Sequence, residues 1–104
     1  MQNKDKIMRR FKNAVGRIYG DRLERVVLFG SRARGDALPD SDYDVAIFLK
    51  DMPDRWAEVE RLVPLRLEFL ERDGAEITVL PFAEADYAKR TGLMHAIRTE
   101  GVPL

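Results

Sequence analysis

The polar segment from Gly30 to Asp44 lies between two short apolar runs, and that arrangement constrains the fold of this chain more than any other feature. Val26, Val27, Leu28 and Phe29 precede it; Val45, Ala46, Ile47, Phe48 and Leu49 follow it. Runs this short, β-rich and uninterrupted suit buried strands. Arg25 to Phe29 is therefore expected as one strand and residues 43–49 as another. Ser31 takes an N-cap position for a short helical turn, and residues 35–41, with Gly35, Pro39 and Ser41, read as a loop. Strand alternation then places Asp42 and Asp44 on one face, about 6–7 Å apart, with Tyr43 packing on the other.

Elsewhere, helices alternate with strands. Ile7, Met8, Phe11, Ala14, Val15 and Ile18 form an amphipathic stripe that predicts a helix from about 4 to 19, capped by Asn3 or Asp5 and ended by Gly20. The Arg9-Arg10 pair reads as its solvated face. Asp51, Pro53 and Asp54 lead into a second helix carrying Trp56, Val59, Leu62, Val63, Leu67 and Leu70, with Asp73-Gly74 at its end. Pro64 predicts a kink there, or two successive helices. Glu76 to Leu80 reads as a third strand stopped by Pro81. A last helix spans about Glu84 to Thr99, with a break at Gly92, and Val102-Pro103-Leu104 fits a short edge strand after Gly101. The order α-β-(short α)-β-α-β-α describes one layered α/β domain over residues 1–104.

Carboxylates two apart on a strand suit hard divalent cations, which prefer oxygen ligands. Metal pairs in phosphoryl-transfer sites sit roughly 3.5–4 Å apart, a span that a carboxylate can bridge. Gly30 allows close backbone approach to a phosphate, and the first N–H groups of the turn at Ser31 suit an anion. Arg32 and Arg34 have two readings: guanidinium contacts to phosphate, or pairing with Asp36 and Asp40 on a solvated loop. Two other motifs fail. Gly30-x4-Gly35 has the glycine spacing of a phosphate loop, but Asp36-Ala37 replaces Lys-Ser/Thr. Asp40-x-Asp42-x-Asp44 starts like a calcium loop, yet Val45 stands where glycine is needed and Asp51 where the final glutamate belongs.

Gly30-Ser31, ten intervening residues and Asp42-x-Asp44, together with Ala33-Arg34-Gly35 and Ser41, resemble the DNA polymerase beta-like nucleotidyltransferases, and within them the minimal nucleotidyltransferase branch. The likeness is densest over residues 26–49; Glu100-Gly101-Val102 also looks like the end of such domains. The resemblance implies an α/β (α+β) fold, a small mixed sheet with helices packed on one side and an open carboxylate-bearing face. It also implies two Mg²⁺ ions (Mn²⁺ as an alternative) on Asp42 and Asp44, and ATP as donor held by Gly30, Ser31 and Arg34. A third carboxylate from a neighbouring strand completes such sites. Glu76 is the candidate, either ligating one metal or accepting the acceptor's proton, although aspartate is commoner there. The alternative is an edge-strand carboxylate facing water.

The recipient is less legible. Eighteen basic and eighteen acidic residues cancel, which argues against a stand-alone nucleic-acid binder. There is no cysteine for a disulfide or thiolate metal site. No apolar run approaches the roughly 18–20 residues of a membrane span, and no leader is evident, so a cytoplasmic setting is expected. With no residues left for an acceptor domain, the resemblance points to a partner protein: an antitoxin that transfers AMP to a HEPN-type toxin. A non-catalytic module of the same fold, neutralising its partner by contact alone, is the alternative. His95 reads as a surface or structural residue. Trp56, Phe69, Phe82 and Tyr87 read as core or interface.

Overall fold

The computed structural model describes residues 3–104, with side chains from Lys6 onward. Four helices and four strands follow in the order α1 Asn3–Tyr19, β1 Leu23–Phe29, α2 Ser31–Arg34, β2 Tyr43–Leu49, α3 Arg55–Asp73, β3 Ile77–Ala83, α4 Gly92–Glu100 and β4 Val102–Pro103. Single 3₁₀ turns at Gly20–Arg22 and Glu84–Ala88 complete it. The caps expected from the Asn3 and Asp5 side chains lie outside the described residues. No described helix is long and apolar enough to cross a membrane.

The strands form one mixed sheet in the order β3-β2-β1-β4. β1 runs antiparallel to β2 and β4, and β2 runs parallel to β3. Alternation sorts the side chains. Val26, Leu28, Tyr43, Val45, Ile47, Leu49, Ile77 and Val79 face one way, under Met8, Phe11 and Val15 of α1 and Leu62, Leu65 and Phe69 of α3. Phe11 and Phe69 meet edge to face at 5.4 Å, and burying a ring such as Phe11 contributes roughly 1.5–3 kcal/mol. Arg10 belongs to this seam rather than to a solvated face: it donates to Asp73 at 2.6 Å and lies over the Phe69 ring.

The two long helices thus cover one side of the sheet, as expected. The other side is only partly open. Met94 and Ile97 of α4, with Tyr87, pack on Val27, Ala46, Phe48 and Phe82. Three rows of register partners cross that face: Arg25-Phe48-Phe82, Val27-Ala46-Leu80 and Phe29-Asp44-Thr78. Val27, Ala46 and the Phe48 and Phe82 rings are buried beneath α4, with Leu80 half-buried against them. The third row carries the carboxylate, and all three of its residues are only half-buried.

Two elements differ from expectation. α3 is one continuous helix through Pro64. The amide that proline lacks would have bonded the Glu60 carbonyl, which lies on an exposed turn where water can serve it. Asp54 caps its start by accepting from the Ala57 amide at 3.2 Å, and Gly74, left-handed at φ 65°, ends it. β3 runs on through Pro81 to Ala83; it is an edge strand, where proline is tolerated. The break expected at Gly92 is present: a 3₁₀ turn over Glu84–Ala88 gives way to α4, which starts at Gly92 after Thr91 accepts from the Met94 amide.

Candidate active site

The site is built where β1 hands over to α2 and where β2 begins. Gly30 adopts φ 75°, ψ −159°, a region open essentially to glycine. A Cβ there would overlap Asp44 Oδ2 and lie 3.2 Å from its Cγ. The glycine is therefore required twice, for its backbone angles and for the space that Asp44 fills. The Ala33 and Arg34 amides turn back onto the Gly30 carbonyl at 3.1 and 3.0 Å. That leaves the leading donors of the turn, at Ser31 and Arg32, available to a ligand. Ser31 is the first helical residue and Gly30 the cap, one position earlier than expected.

Asp42 is exposed and Asp44 half-buried, with Tyr43 buried between them on the opposite face. Burial pushes the Asp44 carboxyl above its usual range; the neighbouring Asp42 charge adds to this, and Arg34 partly opposes it. A half-buried carboxylate beside a second, exposed one is a setting in which a hard cation gains much.

The two arginines separate by role. Arg32 donates to the Ser41 carbonyl at 3.0 and 2.7 Å and to that of Pro39 at 3.1 Å, while stacking 4.2 Å over the Tyr43 ring. It ties down the loop that delivers Asp42. Arg34 is exposed and pairs with Asp36 at 3.2 Å and Glu100 at 3.4 Å. The loop reading of its partners is thus right for Asp36, yet its charge also reaches Asp44.

Glu76 is placed differently from the aspartates. It is exposed, immediately precedes β3, and accepts from the Tyr43 amide through its backbone carbonyl. It lines two grooves, one with Val63, Leu67 and Leu70 of α3, the other with Asp40, Ser41 and Tyr43. Among the described residues no three of His, Cys, Asp or Glu gather closely enough to hold a metal ion. The register partner of Asp44 on β3 is Thr78. Thr78 beside Asp44 and Glu100 beside Arg34 were given no site role in the motif reading, which named Glu100 only in the terminal Glu100-Gly101-Val102 match. Only Gly101 signalled the second: a Cβ there would collide with the Ile97 carbonyl and the Val27 side chain, so α4 ends pressed onto β1. His95 is exposed on α4, apart from this cluster. Of the aromatics read as core or interface, Phe69 and Phe82 are buried and Trp56 is exposed.

Residues 8–98 match the family model of the nucleotidyltransferase domain. A Methanocaldococcus jannaschii protein named "putative protein adenylyltransferase" is 51% identical over 47 residues, covering 45% of this chain and 48% of its own length. A second protein of that organism, with the same description, is 41% identical over 63 residues, 58% of this chain and 42% of the relative. The chain thus spans about half the length of the curated relatives it matches. Among solved structures, "the toxin-antitoxin with AMP-PNP" superposes with a TM-score of 0.64 at 22% identity, covering 98% of this chain and 72% of that one. The complex of a tri-AMPylated Shewanella oneidensis HEPN toxin with an MNT antitoxin gives 0.56 at 18% identity, covering 93% and 70%. At such identities the likeness is one of fold.

Proposed function

Because this chain belongs to the nucleotidyltransferase domain family, we propose that it transfers a nucleoside monophosphate, AMP from ATP, to an acceptor hydroxyl on a partner protein. The observation that carries this proposal is the seat of the Asp44 carboxylate directly against Gly30, beside Asp42 and the free amides of α2. A phosphate-binding turn and a metal-binding pair are thereby joined at one point.

Asp42 and Asp44 are the residues that would hold magnesium, or manganese in its place. The mutual repulsion of the two carboxylates fits such a cation. When bound, the metal offsets triphosphate charge and lowers the pKa of an attacking hydroxyl. The protein's own groups do the rest. The amides of Ser31 and Arg32 and the Ser31 hydroxyl bind phosphate oxygens. Arg34 exchanges Asp36 and Glu100 for the triphosphate. The acceptor oxygen bonds the α-phosphorus, the α–β anhydride breaks, and pyrophosphate leaves. The acceptor's proton passes to a carboxylate, and Glu76 on the outer rim is assigned that role rather than a first ligand's.

A HEPN-type toxin is the proposed acceptor, in a cytoplasmic toxin-antitoxin pair. Support comes from the structural neighbour that sits beside a tri-AMPylated HEPN toxin. Incubation with α-labelled ATP, magnesium and the cognate toxin should add an AMP mass to the toxin, and Asp42→Asn with Asp44→Asn should abolish it. Equal transfer by wild type and variant would overturn the site assignment.

A second reading is favoured by one observation: Thr78, not a carboxylate, neighbours Asp44 on β3. On that reading the chain neutralises its partner by contact, and the Asp42→Asn, Asp44→Asn variant inhibits the toxin as well as wild type does.

A further inference from the structure

Helix α3 carries more apolar surface than its own domain uses. Leu62, Leu65 and Phe69 are buried against the sheet, but Trp56 is 75% exposed, Leu67 51%, Leu70 45% and Val63 40%. At 3.6 residues per turn these four form one continuous stripe on the side turned away from the core. A groove of about 240 Å³ runs along it, floored by Ile77 and flanked by Arg66 and Glu76. Patches of this kind mark interaction sites in soluble domains.

The stripe's borders identify its occupant. By the same helical geometry Glu60 and Glu71 fall along one border, Arg55 and Arg66 along the other. Among the described residues, neither Glu60 nor Glu71 has an ion-pair partner. Arg66 spends one N–H on the Ile77 carbonyl and Arg55 lies over the Phe82 ring, so both cations reach toward β3. A surface with acid on one border and base on the other is complementary to itself in only one orientation. Two copies running in the same direction set acid against base on both sides of the seam. Two copies running in opposite directions set like charge against like.

We propose that the α3 stripe docks on the same stripe of a second copy of this chain, with the two helices parallel. Trp56, Val63, Leu67 and Leu70 form the apolar seam. Arg55 meets Glu60 of the second copy and Arg66 meets its Glu71. Each pair is five residues apart, the offset that joins flanking charges across a parallel two-helix seam. Both copies keep Asp42 and Asp44 off the seam, since those residues lie on the sheet face opposite α3.

Sedimentation equilibrium over a wide concentration range tests this, with folding checked by circular dichroism. Wild type should show a monomer–dimer equilibrium weakened by salt, and Leu67→Glu should raise the dissociation constant at least about tenfold, the equivalent of roughly 1.4 kcal/mol. Glu71→Arg alone and Arg66→Glu alone should each weaken the dimer, and the double variant should restore it. Glu60→Arg with Arg55→Glu provides the same cycle without touching the Arg66 bond to Ile77. Monomer at every concentration would overturn the proposal, as would a dimer indifferent to Leu67→Glu. A dimer strengthened by Glu71→Arg alone would overturn the parallel orientation.

Discussion

Gly30 and Asp44 occupy space that a single methyl group would contest: the carboxylate lies where a Cβ on residue 30 would be. This contact fixes the Gly30-Ser31 turn to the first residues of β2, so each half of the candidate site positions the other. Gly30→Ala meets both that collision and a backbone angle of φ 75°. It should cost about 1–3 kcal/mol of stability, read as a fall in melting temperature. It should also abolish nucleotide binding even at temperatures where the variant is fully folded.

Asp44 makes stability depend on pH in a definite sense. Its carboxyl is raised in the folded chain, chiefly by burial and next by Asp42. A raised acid favours the folded state only while protonated. Its penalty is absent below the unfolded value and complete above the folded one. Asp44→Asn should therefore melt higher than wild type near neutral pH, and the gap should close as pH falls through the carboxylate range. Magnesium should raise the wild-type melting temperature at neutral pH and leave the variant unmoved. Thermal melts across pH, with and without the ion, check both signs.

Arg34 is held by two exposed carboxylates, which a triphosphate displaces on the proposed function. Exposed pairs contribute little because water and salt screen them, so Glu100→Gln should tighten nucleotide binding by no more than about fivefold. Arg34→Ala should weaken it by about tenfold or more. Titration calorimetry with a non-hydrolysable triphosphate separates the two effects.

Thr78 faces Asp44 across the parallel β2–β3 pair. Thr78→Asp should bring a third carboxylate to the pair and tighten magnesium binding at neutral pH. Glu76→Gln should leave metal affinity unchanged and reduce only transfer, if its carboxylate serves the acceptor's proton. A drop in metal affinity in Glu76→Gln would reassign it as a ligand.

Much of this arrangement was legible before any coordinates. β2 could be read to the residue, because a buried run with aspartates at its mouth leaves alternation no freedom. The order of helices and strands was equally plain from periodicity. What sequence could not supply was pairing. Whether Glu76 or Thr78 lies beside Asp44 depends on the register of two strands joined by a helix, and no local pattern encodes that. Pro81 looked like a stop because its tolerance depends on β3 being an edge strand, a property of sheet order alone. The exposure of Trp56, Val63, Leu67 and Leu70 was not legible either, because hydrophobicity does not say which of two apolar helix faces meets the sheet.

The central claim is that Asp42, Asp44 and the Gly30-Ser31 turn form one metal-dependent nucleotide site. The most direct test is calorimetric titration of a non-hydrolysable ATP analogue into wild type and into the Asp42→Asn, Asp44→Asn variant, each with magnesium and with chelator. Wild type should bind only when magnesium is present, and the variant should lose at least about tenfold in affinity under the same conditions. Binding of equal strength in the two proteins, or binding in wild type that chelator does not reduce, would contradict it.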